Sequence, residues 1–187
     1  MAVRPVRLFG DPVLRQKAEP VERFDDELAA LIEDMRQTMK AYEGVGLAAN
    51  QVGILQRVLV VDVPLDDGSR ARHTLVNPVI VERSGTETGE EGCLSIPGVY
   101  EDVVRSRQVR VTGHDERGQP VEVQAEDFLA RALQHEIDHL DGVLFIDRLS
   151  PLKRQFLRKT LDGLARGQMP EGYRLPVRDT STRQAPG

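Results

Sequence analysis

The period of the hydrophobic pattern changes repeatedly along the chain. Residues 25–43, DDELAALIEDMRQTMKAYE, set Leu28, Leu31, Ile32, Met35, Met39 and Tyr42 three or four apart, which predicts an amphipathic helix. Acidic residues in its first turn suit the positive end of the helix dipole, and Gly44 marks its expected stop. The run RVLVVDV then reads as a buried strand, followed by HTLVNPVIVE and by QVRVTGHD and QPVEVQAE, which meet at a DERG turn. From Glu126 the helical period returns. EDFLARALQHEIDHL has apolar residues at 128, 129, 132, 133, 137 and 140, and Gly142 stands where that helix would end. SPLKRQFLRKTLDGLARG predicts a third helix over about 150–166, with Ser-Pro at its start and a basic face.

These elements predict one domain over 1–166, within the size that a single core supports. The rest, 167–187, is polar and proline-containing without a sustained period, and is expected to be an extended or disordered tail. With 40% apolar and 29% charged residues the composition is that of an ordinary globular protein. No apolar run approaches the roughly 18 residues of a membrane span, and the N-terminus offers no continuous apolar stretch for a secretory signal, so the cytoplasm is the expected location. A net charge of −5 argues against general or sequence-specific nucleic-acid binding. The single cysteine, Cys93, has no internal disulfide partner.

The candidate chemistry lies in QHEIDHLDG, residues 134–142. Positions i and i+4 share a helix face, so His135 and His139 can converge on one ion, while Glu136 is rotated by about 100° and suits a general base acting on water. Unpaired imidazoles on a helix with so apolar a face would be costly. The motif alone states only a metal hydrolase; the third ligand decides the kind. One zinc-protease extension needs a histidine at position 145, where this chain has Phe145. Glu171 lies in the tail, and Asp147 has no motif support. Cys93 is the choice: a thiolate with two imidazoles leaves a fourth position open, as a catalytic site requires. His73 and His114 read as surface residues.

Three stretches, GVGLAANQ (44–51), EGCLS (91–95) and QHEIDH (134–139), resemble in that order the three signature segments of the peptide deformylase family, and the resemblance extends over most of residues 1–165. It implies an α+β fold with antiparallel strands packed around a central metal-binding helix, flanked by the N-terminal amphipathic helix and the C-terminal helix. It also implies that N-formylmethionyl nascent peptides lose their formyl group as formate. Cys93, His135 and His139 would bind the metal, Fe²⁺ in the native enzyme with Zn²⁺ or Ni²⁺ as replacements on purification. A metal-bound water would attack with Glu136 as base, while Gln51 and the backbone N–H of Leu94 would donate to the oxyanion. Val45, Gly46, Phe128, Leu129 and Ala132 are the expected walls for the methionine side chain. Arg131 is expected to snorkel outward or meet the peptide chain. Asp138 is expected either to be exposed or to pair with an arginine such as Arg105. The basic face of the third helix allows a transient ribosome contact, although packing of its apolar residues is the favoured reading. A metalloendopeptidase of the HExxH type is the alternative.

Overall fold

The structure is a computed structural model that describes residues 2–176. Seven strands and three helices follow one another as α1 (Asp26–Ala41), β1 (Gly46–Ala48), β2 (Val58–Pro64), β3 (Arg70–Ser84), β4 (Glu87–Cys93), β5 (Ile96–Arg105), β6 (Gln108–His114), β7 (Pro120–Glu126), α2 (Asp127–Leu140) and α3 (Pro151–Ala165). Five strands form an antiparallel sheet in the order β1-β2-β3-β6-β7, while β4 and β5 form a separate antiparallel hairpin. The expected mixture of helices and antiparallel sheet is what the chain adopts. No helix among the described residues is long and apolar enough to cross a membrane.

Strand β2 explains the layering. Its side chains alternate across the sheet. Leu59, Val61 and Val63 join a core with Leu75, Val111, Leu133 and Ile137, whereas Val58 and Val60 join another with Ile32, Met35 and Leu47. The first core packs α2 on one face of the sheet, and the second packs α1 on the other, so β2 is apolar on both faces over Val58–Val61, with Asp62 the one polar position before Val63. A third core joins β5 (Ile96, Val99, Val103) to the turn after α2 (Leu144, Phe145, Ile146) and to α3 (Leu161, Leu164). On α3, Leu152 and Phe156 are exposed rather than packed.

Several local expectations are corrected. The residue that turns the chain out of α1 is Glu43, at φ 56°, while the Gly44 N–H donates back to Met39 O. Three backbone bonds reward the left-handed conformation there, and a glycine is not needed. The strand expected to begin at His73 begins earlier, at Arg70, and His73, partly buried instead of a surface residue, pairs with Val61. The hairpin β4–β5 was not anticipated: ETGEEGC has no alternating apolar positions. Beyond α3, residues 167–176 contain no helix or strand, and 177–187, the remainder of the expected tail, lie outside the described residues.

Polar groups lock the hairpin against α2. Gln134 accepts the Ser106 N–H at 3.1 Å and donates to Ser106 O at 2.8 Å, and so clamps the helix to the end of β5. Arg105 of β5 donates to Glu91 of β4 at 2.8 Å and to Asp138 of α2 at 2.5 Å; Arg148 also holds Asp138, at 2.6 Å. Of the two readings of Asp138, the structure selects the paired one: the residue is buried, at 8% exposure. Removing one member of such a group leaves a buried charge without its partner. A double-mutant cycle of Arg105→Met and Asp138→Asn, read by urea unfolding, is expected to give a coupling of about 1–3 kcal/mol. Additive losses would show that the pair contributes nothing jointly.

Candidate metal centre

Helix α2 carries His135 and His139 one turn apart with their Nε2 atoms 3.2 Å from each other, and the Cys93 Sγ lies 3.2 Å from His139 Nε2. All three donor atoms fall within 4.8 Å of one another. A tetrahedral site with metal–nitrogen bonds of ~2.0–2.1 Å and metal–sulfur bonds of ~2.3 Å has ligand edges of roughly 3.3–3.6 Å, so the three donors are already close to metal spacing. Cys93 reaches this position because β4 ends there: the ladder shifts register between Glu91 and Cys93, and Cys93 pairs with Ile96 across the tight Leu94–Ser95 turn. The donor set of one thiol and two imidazoles suits a borderline-soft divalent ion such as Fe²⁺ or Zn²⁺.

The outer nitrogen of His135, Nδ1, lies 2.8 Å from Glu91 Oε1. That carboxylate is buried, which by itself would raise its pKa, but hydrogen bonds from Arg105 and His135 hold it well below the usual carboxylate range. Glu91 therefore stays an acceptor, fixes the tautomer of His135 and leaves Nε2 for the ion. Burial opposes a charge on His139 and the neighbouring His135 adds to that, so its ring is neutral, the form that ligates.

Glu136 follows His135 and is turned off the ligand face. Burial, with a further push from Glu91 and opposition from His135, raises its pKa to about 7. Its Oε2 is buried without a hydrogen-bond partner. The other oxygen faces Gly46: a Cβ there would stand 2.4 Å from Glu136 Oε1, so the carboxylate fits only beside a residue without a side chain. Gln51 lies in the short turn Ala49–Val52 after β1. Its Oε1 accepts the Ala48 N–H at 2.9 Å, which orients Nε2 toward Ser95 Oγ at 3.1 Å and Cys93 Sγ at 3.7 Å. Asn50 of the same turn donates to His139 O and ties the turn to α2.

These groups stand at the base of a cleft of about 700 Å³. Of the anticipated residues, Val45, Gly46, Gln51, Cys93, Leu94, Phe128, Ala132, His135 and Glu136 line it. His139 does not, being only 1% exposed, and neither does Leu129, which points into the core under the sheet. The helical periodicity put it near the cleft, but α2 turns that stripe toward the strands. Arg131 does not snorkel outward, but it does line the cleft. It is buried and directed inward, donating to Glu91 Oε2 and Val103 O at 2.8 Å and to Glu87 O at 3.1 Å. The sequence reading assigned no role to Glu91 or Ser95, although both lie inside the quoted EGCLS stretch. An acidic residue two before the cysteine, within a motif otherwise small and apolar, was the available signal.

The comparisons with known proteins agree with this geometry. The family Polypeptide deformylase matches residues 3–155. A peptide deformylase of Alkalilimnicola ehrlichii is 49% identical over 166 residues, covering 89% of this chain and 93% of its own. Peptide deformylase 1 of Corynebacterium glutamicum is 53% identical over 156 residues, covering 83% and 92%. Among solved structures, a peptide deformylase from Legionella pneumophila superposes with a TM-score of 0.81 at 47% identity, covering 89% of this chain and 98% of its own. One from Ehrlichia chaffeensis in complex with actinonin gives 0.81 at 38%, covering 87% and 97%. With a family match over most of its length, and relatives near half identity that it spans almost end to end, this chain is an enzyme of the peptide deformylase family.

Proposed function

We propose that this enzyme removes the formyl group, as formate, from N-formylmethionine at the start of newly made polypeptides. The observation that carries the reading is the convergence of Cys93, His135 and His139 beside a buried carboxylate oxygen, Glu136 Oε2, that has no hydrogen-bond partner among the described residues. The native ion is proposed to be Fe²⁺, with Zn²⁺ or Ni²⁺ able to replace it. Such an ion would polarise the formyl oxygen and lower the pKa of water.

The chain's own groups supply the remaining steps. Glu136 is placed to take a proton from the attacking water at Oε2 and to return it to the departing amine nitrogen, and a pKa near 7 suits both transfers. Water adds to the formyl carbon, the carbon–nitrogen bond breaks, and formate and a free amine result. Negative charge develops on the former carbonyl oxygen. Gln51 Nε2, held in position by its own Oε1, and the Leu94 N–H are the proposed neutral donors aimed there. Val45, Gly46, Ala132 and Phe128, which line the cleft, are the proposed walls for the formyl group and the methionine side chain. The basic face of α3, with Phe156 and Leu152 exposed on that helix, offers a surface for transient contact with a ribosome presenting the chain.

The test is anaerobic reconstitution with Fe²⁺ and parallel quantification of formate and free amine from a formyl-methionyl peptide. Equal yields are expected, abolished by Glu136→Ala and by a chelator. Peptide-bond cleavage without formate would instead establish an endopeptidase. Gln51→Ala is expected to lower kcat by about 10²–10³ while the bound metal stays stoichiometric, the usual loss for one oxyanion donor. A kcat within threefold of the parent would remove Gln51 from that role.

A further inference from the structure

The cleft has a roof that the catalytic groups do not explain. After α3 the chain doubles back, with Gln168 N–H bonded to Gly163 O, and Pro170, Glu171, Gly172 and Tyr173 then line the mouth of the same cleft that holds Cys93 and Glu136. Two seats fix the segment. One is Gly98 of β5, at φ 78°, where a Cβ would come within 2.6 Å of Pro170 Cγ; the bare backbone makes room for the proline ring. The other is the apolar cluster containing Tyr42 and Leu47, against which Leu175 packs. Between the seats, Tyr173 N–H closes a turn onto Pro170 O at 3.1 Å, and Tyr173, half-buried, lines the cleft. Burial raises the pKa of that phenol, with Tyr42 and Tyr100 adding to the shift, so it stays a neutral donor and an apolar face.

We infer that Pro170–Pro176 is a strap forming part of the substrate site, in which Tyr173 contacts the peptide beyond its methionine. The seats, Gly98 and the cluster around Tyr42, include none of Cys93, His135, His139 and Glu136, so the strap is assigned to the chain that follows the methionine. The strap does not plug the site. With it in place about 700 Å³ remains, ample for a short peptide. It is also free to yield: among the described residues the only backbone hydrogen bond from Pro170–Pro176 is the internal one at Tyr173, and apolar contacts hold the rest. An aromatic ring supplies contact area on a peptide at low entropic cost.

This inference rests on the deformylation reading for its substrate. The experiment compares the metal-loaded full chain, a chain ending at Pro176 that keeps the strap, a chain ending at Met169 that lacks it, and Tyr173→Ala, each with formyl-methionyl di- and tetrapeptides. The tetrapeptide-to-dipeptide ratio of kcat/KM is expected to fall about 3–10-fold for Tyr173→Ala and the Met169 chain, and to be unchanged for the Pro176 chain. An unchanged ratio in both altered chains, or faster turnover of the tetrapeptide without the strap, would overturn the inference. Binding is read separately, as tetrapeptide affinity in a Glu136→Ala background by calorimetry. There Tyr173→Ala is expected to weaken affinity by the same factor, and equal affinities would overturn the inference too. Absence of formate from every chain would overturn the deformylation reading, while the binding arm still decides the strap.

Discussion

The Glu91 carboxylate is the point on which the site depends. Its two oxygens accept four hydrogen bonds, Oε1 from Arg105 and His135 and Oε2 from Arg105 and Arg131, all at 2.8 Å. A carboxylate offers about four lone-pair sites, so this one is saturated. Saturation is what makes the burial tolerable, because an ion removed from water costs several kcal/mol unless its partners replace the solvent completely. It also leaves the imidazole of His135 no freedom to flip or shift without exposing one of those lone pairs. The ligand is oriented by a group that cannot itself reorient.

From that point the geometry follows by spacing. Two residues along a strand advance about 6.6 Å, and four along a helix about 6.0 Å. Glu91 and Cys93 on β4, separated by a register shift instead of a regular strand step, still face His135 and His139 on α2 in turn: the carboxylate meets the first imidazole while the thiol meets the second. Arg105 holds this register from the neighbouring strand by bonding both Glu91 and Asp138, and Asp138 lies on α2 between the two ligands in sequence. Buried ion networks contribute little net stability compared with apolar packing. Here the return is positional: the hairpin cannot slide along the helix without separating opposite charges in a dry environment.

How much of this the sequence disclosed depended on whether a feature was local or shared between distant segments. Helical periodicity located α1, α2 and α3 because each has a face that must be buried, and β2 was legible because both its faces are. The i, i+4 histidines and the lone cysteine could be read as one donor set from their chemistry. The β4–β5 hairpin could not be read, since β4 is held by its ladder with β5 and by buried ion pairs in place of an apolar stripe. The outward reading of Arg131 failed for a related reason. A long cation on a helix usually reaches for water, and only the buried carboxylate of another segment reverses that preference. Leu129 was misplaced by the width of the apolar stripe, which does not say which part faces the cleft and which the sheet. The strap was illegible because Pro170 and Tyr173 carry no period; their places are set by Gly98 and by the cluster around Tyr42.

The strap also bears on a problem set by the sheets. β1 is the terminal strand of the five-stranded sheet, and β4 has only β5 as a partner, so each has one backbone side outside the ladders. Such edges invite pairing with any extended chain. Residues of both strands, Gly46 on β1 and Glu90 to Cys93 on β4, line the same cleft. The invitation is therefore confined to a site where an extended peptide is the substrate, and where added-strand pairing would give affinity without regard to side chain. Selectivity must then come from elsewhere. One contribution is the wall that Gly46 forms against the Glu136 carboxylate, where a Cβ would stand 2.4 Å from Oε1. Another is the strap, whose Pro170, Glu171, Gly172 and Tyr173 line the same cleft as the two edge strands, so a peptide pairing with either edge also meets the Tyr173 ring.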